Sequence, residues 1–320
     1  MRERALIARL LAPVATHPAA RGLADDAAVL VPPMGRDLVF THDMLAEGVH
    51  FLGDDPPADV AGKLVAVNLS DLAAMGARPL GVLMGLGLAG QGEDWLAAFV
   101  RGLGEACARW SAPLLGGDTV AGLGALVLGM TAIGQVAPGT ALSRGRARAG
   151  DDLWVSGNIG DAGLGLAVLR GRYGDAADDV RARLIAAYRR PEPRLALGAA
   201  LVGLATACMD VSDGLLIDAE RFAAASGVRA VVRLGDMPVS RAAEAVGAAV
   251  GAQRLALAAA GDDYELLFAA APESAGEVVA RAKRVGVRVT RVGEVRGGAG
   301  LEVIGEDGAT VTPERLGWEH

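Results

Sequence analysis

The stretch Cys208-Met209-Asp210-Val211-Ser212-Asp213-Gly214-Leu215-Leu216-Ile217-Asp218 decides the fold of this chain. Residues 206–211 form a short apolar run that predicts a buried strand, and the apolar positions after Asp213 recur at the spacing of a helix. Open α/β folds bind ligands where such a strand ends and the next helix begins. The pattern predicts that Asp210 ends the strand, that Ser212 caps the helix, and that Asp213 lies in its first turn.

Two interpretations of these carboxylates stay open at this point. An aspartate at a strand end is usually a cap or a turn former. Alternatively, the carboxylates and a hydroxyl converge on a hard cation, which prefers oxygen ligands without imidazole or thiolate, as Mg²⁺ does. The second interpretation is favoured because similar aspartates recur at predicted strand or helix ends along the chain: Asp26, Asp43, Asp71, Asp118, Asp210 and Asp213.

The composition indicates a globular protein with more than one core. The chain has 320 residues, of which 52% are hydrophobic and 22% charged, so two domains are expected and disorder is excluded. Its net charge of −7 argues against nucleic acid as the main partner. Cys107 and Cys208 both lie in apolar runs, which is typical of a reducing compartment.

No membrane segment is predicted. The longest apolar run, residues 195–209, is interrupted by small residues and is shorter than the ~20 residues that span a bilayer. The N-terminus predicts an amphipathic helix interrupted by Arg9, not the unbroken apolar core of a secretory signal. We therefore expect a cytoplasmic protein with no membrane partner.

The order of predicted elements indicates an α/β fold with mixed sheets and two domains. The first half reads β-β-α-β-α-β-β, with strands at 25–31, 37–45, 79–88, 113–119 and 126–136. The second half alternates strands and helices, with strands at 152–157, 206–211, 228–234, 264–270 and 287–295. The predicted organisation is a domain at 1–137, a linker at 138–150 and a domain at 151–320.

Common catalytic motifs are absent from the sequence. There is no Walker loop, Gly-x-Ser-x-Gly, His-Glu-x-x-His or Cys-x-x-Cys, and the four histidines (His17, His42, His50 and His320) are too scattered to propose zinc. The glycines at 157, 160 and 163 lack the dinucleotide spacing, and no acidic residue ends a second strand about 20 residues on. The carboxylates remain the candidate chemistry.

Several motifs resemble the thiamine-monophosphate kinase family, within the superfamily of aminoimidazole ribonucleotide synthetase and selenophosphate synthetase. They run in family order: Asp25-Asp26-Ala27-Ala28-Val29-Leu30, Thr41-His42-Asp43, Gly48-Val49-His50-Phe51, Asn68-Leu69-Ser70-Asp71-Leu72-Ala73-Ala74-Met75-Gly76-Ala77, Gly116-Gly117-Asp118-Thr119, Leu142-Ser143-Arg144, Met209-Asp210-Val211-Ser212-Asp213-Gly214 and Gly261-Asp262-Asp263-Tyr264-Glu265-Leu266. The last of these motifs and the terminal Gly317-Trp318 favour this kinase over its superfamily relatives.

The resemblance implies that ATP phosphorylates thiamine monophosphate directly, giving thiamine diphosphate. The acceptor phosphate is already anionic, so no acid or base residue is required, and transfer is assisted by several Mg²⁺ ions. The implied metal ligands are Asp26, Thr41, Asp43, Asp71, Asp118, Asp210 and Asp213, with Asp43, Asp71, Asp118 and Asp210 most directly tied to catalysis. The implied ATP contacts are Gly117, Asp118, Arg144 and Ser212, and the implied substrate contacts are His50, Asp262 and Trp318.

The family's fold implies two α/β domains and a homodimer whose N-terminal sheets form a shared barrel. Three positions depart from the family pattern. Ala24 replaces a glycine, His42 replaces a hydroxyl residue before the second-strand aspartate, and Asp262 replaces a longer glutamate. The imidazole at position 42 cannot ligate Mg²⁺ as a hydroxyl does.

Two other functions remain as alternatives. One is another ATP-using enzyme of the superfamily, similar to aminoimidazole ribonucleotide synthetase. Selenophosphate synthetase requires a reactive cysteine near the N-terminus, and no cysteine precedes Cys107. The other is a non-catalytic module that binds nucleotide or metal, and retention of all six aspartates weighs against it.

Overall fold

The computed structural model describes residues 3–248 and 250–319, so His320 lies outside the described residues. Within those two ranges, no helix is both long enough and apolar enough to cross a membrane.

The chain divides into two compact units. The first contains Met1–Leu72 and Ala77–Gly139, and the second contains Ala73–Gly76 and Thr140–His320. The boundaries drawn from the sequence stay a prediction: 1–137, 138–150 and 151–320.

The first unit is built on a four-stranded mixed sheet in the order β1-β4-β2-β3. Only β2 and β3 pair in parallel, and β4 pairs antiparallel with both of its neighbours. The strands are β1 (Asp37–Ala46), β2 (Arg78–Leu88), β3 (Leu114–Ala121) and β4 (Val127–Val136). The helices are α1 (Glu3–Leu6), α2 (Pro57–Ala74) and α3 (Glu93–Arg109), with a π-helical turn at Ile7–Leu11 and a 3-10 helix at Pro18–Leu23.

Strand β1 has two different faces because successive side chains of a strand point to opposite sides. Thr41 and Asp43 lie on the less exposed side, and their partners are in α2. The opposite side, which we call the outer face, carries Leu38, Phe40, His42 and Met44; Phe40 is 62% exposed and Met44 54%. An apolar strand face this open has no cover within the described chain.

The second unit is built on a seven-stranded mixed sheet in the order β11-β10-β7-β9-β5-β8-β6. Its strands are β5 (Asp152–Ser156), β6 (Ala207–Val211), β7 (Arg229–Arg233), β8 (Glu265–Ala270), β9 (Val289–Arg296), β10 (Gly300–Ile304) and β11 (Thr310–Val311). Its helices are α4 (Asp161–Leu169), α5 (Asp178–Arg189), α6 (Leu195–Leu201), α7 (Leu215–Ser226), α8 (Arg241–Ala245), α9 (Gly251–Ala258) and α10 (Ala275–Arg284), with 3-10 turns at Leu234–Asp236 and Pro272–Ser274.

Both faces of the second sheet are covered, and this explains the uninterrupted apolar runs of its strands. Along β6, Met209 and Val211 belong to one buried cluster, whereas Cys208 belongs to the other. Along β8, Leu267 and Phe268 divide in the same way. The mixed α/β architecture predicted from the sequence is therefore confirmed.

Two local predictions are wrong. No strand forms at 25–31; the chain after the 3-10 helix is irregular up to β1. Helix α7 begins at Leu215 with Gly214 at its N-cap position, so Ser212 does not cap the helix and Asp213 precedes its first turn. The reason is that Gly214, with φ of 125°, breaks the chain direction after Asp213. Strands β10 and β11 are absent from the sequence-based prediction.

Candidate functional site

In the first unit, Thr41 and Asp43 of β1 face α2. The Thr41 hydroxyl donates a hydrogen bond to the Asp71 carboxylate, and the Asp43 amide donates to the Asn68 side-chain oxygen at 2.9 Å. The Asn68 amide group donates in turn to the Leu64 carbonyl at 2.9 Å. A fully buried asparagine inside an apolar helix is tolerated because its polar atoms are satisfied. It fixes the register of β1 against α2, which brings three predicted ligands onto one side of the sheet.

Asp26 and Asp118 lie on the other side of the sheet, around a cleft of about 680 Å³ that His42 and Gly117 also line. The His42 Nδ1 lies 2.9 Å from the Thr131 hydroxyl. Asp118 is exposed and accepts the Thr119 amide at 2.9 Å. The first unit therefore brings Asp26 together with Asp118, and separates both from the Thr41 side of the sheet.

The Gly117 backbone lies against β2. A Cβ atom at this position would be 1.9 Å from the Met84 carbonyl oxygen. Only glycine allows this approach, and the close packing sets where the adjacent Asp118 emerges from β3.

His50 is held by backbone contacts in the loop after β1. Its Nδ1 accepts the Ala46 amide at 3.1 Å, so Nε2 carries the proton when the ring is neutral. The buried Lys63 ammonium donates to the His50 carbonyl at 2.9 Å. This role of Lys63 was not predicted; the one sign of it in the sequence is a lysine inside an apolar helix.

In the second unit, Ser212 and Asp213 lie between β6 and α7 with their backbone fully bonded. The Ser212 carbonyl accepts the Asp262 amide at 2.7 Å, and the Asp213 carbonyl accepts the Trp318 amide at 2.8 Å. The Ser212 and Asp213 amides both donate to one oxygen of Asp218, each at 3.0 Å. The structure thus brings together four residues that the sequence analysis assigned to ligands, since Asp262 and Trp318 meet the Ser212–Asp213 segment.

Asp218 and Arg221 complete this arrangement, and the sequence analysis assigned a role to neither. Asp218 is 1% exposed, and its second oxygen accepts Arg221 Nη1 at 3.0 Å. The same guanidinium donates to the Asp213 carboxylate. Burial raises the pKa of the Asp218 carboxyl to about 6, against the opposing effect of the amide hydrogen bond from Asp213. Asp210, at the end of β6, is buried at 7% exposure.

The segment Gly261–Tyr264 is held in an uncommon backbone conformation. Asp262 and Tyr264 have φ of 72° and 49°, in the left-handed region that non-glycine residues rarely occupy. The Asp263 carboxylate accepts the Gly160 amide at 2.7 Å, and burial raises its pKa well above the usual range. Below it, Glu265 bonds the Ser156 hydroxyl at 2.5 Å and Arg194 Nε at 2.6 Å. These anchors were present in the quoted Gly261–Leu266 motif, but their roles were not predicted.

The C-terminal segment docks on α7. The Ile217 amide donates to the Leu316 carbonyl at 3.1 Å. A Cβ atom on Gly317 would lie 2.2 Å from Ile217 Cγ2, so the segment needs glycine at that position. The Trp318 ring is 45% exposed and lies under the Arg315 guanidinium, 5.1 Å from the ring centroid.

Arg144 extends an exposed side chain from an anchored backbone. Its carbonyl accepts the Ser226 hydroxyl at 2.7 Å, and the Cys208 amide donates to the Ser143 carbonyl at 3.1 Å. This part of the predicted linker therefore runs beside β6 and the end of α7, all within the second unit. An exposed guanidinium carried on an anchored backbone is suited to bind an anion.

The donor set is chemically suited to Mg²⁺, since every predicted ligand offers a carboxylate or hydroxyl oxygen. Thr41 and Asp71 already lie side by side, and Asp26 and Asp118 share one cleft. Among residues 3–248 and 250–319, however, no three histidine, cysteine, aspartate or glutamate side chains are grouped closely enough to hold a metal ion.

Both halves of the chain match family models. Residues 24–136 match the N-terminal domain of AIR synthase related proteins, and residues 148–306 match the C-terminal domain.

Relatives that match nearly the whole chain identify a narrower family than the two domain models do. The chain is 43% identical over 320 residues to the thiamine-monophosphate kinase of Caulobacter vibrioides, covering 98% of this chain and 89% of the relative. It is 38% identical over 300 residues to that of Salmonella typhimurium, covering 93% and 91%.

Solved structures agree with these relatives. The thiamine-monophosphate kinase of Stenotrophomonas maltophilia superposes with a TM-score of 0.85 at 39% identity, covering 97% of this chain and 98% of that one. A structure described as AaThiL complexed with AMPPCP and TMP has a TM-score of 0.76 at 30% identity, covering 92% and 90%. Escherichia coli HypE, at 22% identity and a TM-score of 0.80, shares the fold alone. The chain belongs to the thiamine-monophosphate kinase family.

Proposed function

We propose that this protein is the kinase that converts thiamine monophosphate to thiamine diphosphate at the expense of ATP. The observation that carries the proposal is the relative that holds an ATP analogue together with TMP, because it matches this chain over 92% of its length. The bond between the γ-phosphorus and its bridging oxygen breaks, a bond from the substrate phosphate oxygen to that phosphorus forms, and ADP leaves.

The chemistry explains why the sequence contains no acid–base pair. The attacking phosphate oxygen is anionic at neutral pH, so no proton has to be removed from it. The remaining difficulty is to hold two anionic groups in line and to stabilise the charge that spreads over the transferring phosphoryl group. This requires cationic and hydrogen-bonding groups more than a general base.

Mg²⁺ is the proposed cofactor. In the first unit, Asp26, Thr41, Asp43, Asp71 and Asp118 would hold such ions. In the second unit, Asp210 and Asp213 would do so. When bound, Mg²⁺ would offset the negative charge of the two substrates' phosphates. The donor chemistry described above supports this proposal, and Asp43, Asp71, Asp118 and Asp210 are its principal residues.

The remaining assignments concern the two substrates. We assign Gly117, Asp118, Arg144 and Ser212 to ATP, supported by the exposed Arg144 guanidinium and by the cleft that Gly117 and Asp118 line. We assign His50, Asp262 and Trp318 to thiamine monophosphate. A carboxylate and an exposed aromatic face suit a cationic thiazolium and a stacked pyrimidine. The Arg315 guanidinium, 5.1 Å from the Trp318 ring centroid, supports a cation-binding role for this ring.

We further propose a homodimer formed through the outer face of the first unit, with the two sheets forming a shared barrel. The exposed apolar side chains Leu38, Phe40 and Met44 support this assembly, because monomers rarely leave such a face uncovered. Replacing Phe40 by aspartate should shift the mass measured by light scattering from dimer to monomer. A cytoplasmic location is also part of the proposal.

The direct test is to incubate the protein with ATP, Mg²⁺ and thiamine monophosphate, and to separate the products by chromatography. Thiamine diphosphate and ADP should appear in equal amounts. Free thiamine in place of thiamine monophosphate is the control, and it should yield no phosphorylated product. Binding of ATP without turnover would favour the non-catalytic module, and ATP hydrolysis without thiamine diphosphate would favour another enzyme of the superfamily.

A further inference from the structure

The Ser212–Asp213 segment connects residues assigned to different substrates, although it contributes only two residues. Its carbonyls accept the amides of Asp262 and Trp318, both assigned to thiamine monophosphate. Ser212 itself is assigned to ATP. A displacement of this segment would therefore change the positions of groups on both sides of the reaction.

One side chain accepts both amides of the segment. The Asp218 carboxylate accepts both amides of the segment at 3.0 Å, from a position one turn into α7. The helix has no side-chain N-cap, and Asp218 instead bonds the two residues that precede the N-cap position, Gly214. Being 1% exposed, it cannot exchange these bonds for bonds to water without opening the core.

Arg221 fixes the carboxylate from the other side. Its Nη1 bonds the second Asp218 oxygen at 3.0 Å and also the Asp213 carboxylate. The planar guanidinium thus orients Asp218 for the two amides, and ties the Asp213 side chain to the same point.

We propose that Asp218 is a positioning residue for the reaction, which sets the ATP-facing and thiamine-facing groups of the second unit together through the backbone of Ser212 and Asp213. The inference rests on the proposed function for the identity of the substrates. It differs from the role of any residue that contacts one ligand, because loss of Asp218 should impair binding of both.

The test is steady-state kinetics of Asp218→Ala with each substrate varied. We expect KM to rise about tenfold for ATP and about tenfold for thiamine monophosphate, since a small misplacement of ligand-binding groups is costly. Asp218→Asn keeps an oxygen that can accept the two amides but presents an NH₂ group to Arg221. It should raise both constants by a smaller factor, about threefold.

The matched control is Asp152→Ala. Asp152 is also a buried carboxylate of the second sheet and pairs with an arginine, Arg291, at 3.1 Å. It is the first residue of β5 and lies at the end of the sheet's strands away from the Ser212–Asp213 segment. Its loss should lower thermal stability and leave both Michaelis constants unchanged. A rise in only one constant for the Asp218 variants, or equal rises in the control, would overturn the proposal.

Hydrogen exchange of the 212 and 213 amides supplies a readout that does not need turnover. Exchange at both amides should be at least tenfold faster in Asp218→Asn than in the unmodified protein, because the bonds that protect them weaken. If Asp218→Ala does not fold, unchanged exchange and unchanged KM in Asp218→Asn suffice to reject the positioning role. A protein that makes no thiamine diphosphate would refute the proposed function, while exchange at these amides would still report on Asp218.

Discussion

The two units present their candidate ligand groups in different ways. In the first unit the groups are side chains on strands and on α2, and the outer positions such as Asp118 are open to solvent. In the second unit the decisive element is a backbone segment, Ser212–Asp213, whose four polar groups are all bonded within the unit. A site made of side chains should lose ligand binding when one of those side chains is replaced. A site positioned by a backbone segment should lose binding when a residue that holds the segment is replaced. This difference can be tested.

Asp71→Asn should have the largest effect on the first unit. The amide keeps the size of the carboxylate and can still accept the Thr41 hydroxyl, so the fold should be retained. The anionic ligand is lost, and kcat/KM should fall about 100-fold or more. Activity and circular dichroism measured over a range of Mg²⁺ concentrations check this. Near-normal turnover at low Mg²⁺ would remove Asp71 from the ligand set.

The next largest effect is expected from Arg144→Ala, which removes an exposed side chain of the second unit. Its backbone is anchored by Ser226, so only the guanidinium is lost. The KM for ATP should rise about tenfold or more, with little change for thiamine monophosphate, because a charge-assisted contact to one ligand is removed. Arg146→Ala, two residues on and also exposed, is the control. If both constants stay unchanged in Arg144→Ala, its assignment to ATP is rejected.

Trp318→Ala should weaken the binding of thiamine monophosphate and leave the binding of ATP nearly unchanged. Loss of a desolvated cation–π contact costs about 1–2 kcal/mol, or roughly five- to thirtyfold in binding. The ring is 45% exposed, so thermal stability and ATP binding should be nearly unchanged. Calorimetric titration with each ligand measures both effects. An equal loss for ATP would show that the C-terminal segment acts by packing.

The smallest expected signal comes from the cysteines, one in each unit. Burial raises the pKa of the Cys107 thiol to about 12 and that of Cys208 further still. Thiolate, the reactive form, is therefore scarce at pH 8, and native protein should react with a thiol reagent far more slowly than unfolded protein. Cys107, on α3 and 5% exposed, should react before Cys208, on β6 and 1% exposed. Fast labelling of Cys208 would show that the β6 region opens readily.

The sequence predicted the mixed α/β architecture and most strands because apolar runs and helical spacing are local signals. It did not predict Asp218, Lys63 or Asp263, which act by accepting or donating bonds to backbone groups elsewhere in the fold. A sequence pattern records which side chain is present, but not which amide it will meet. The N-cap assigned to Ser212 was wrong for a different reason, since Gly214 occupies the N-cap position of α7.

The alternation of β1 has a consequence for how this gene can change length. Odd-numbered residues of the strand, Thr41 and Asp43, face α2, and even-numbered residues, including Phe40 and Met44, form the apolar outer face. Inserting a single residue early in β1 would exchange the two sets, placing apolar side chains against Asp71, and the Thr41 hydroxyl and Asp43 carboxylate on the outer face. The contacts to α2 and the apolar outer face would be lost together, whereas an insertion of two residues would keep each side chain on its own face. Length variation in this strand should therefore be tolerated, if at all, only in steps of two.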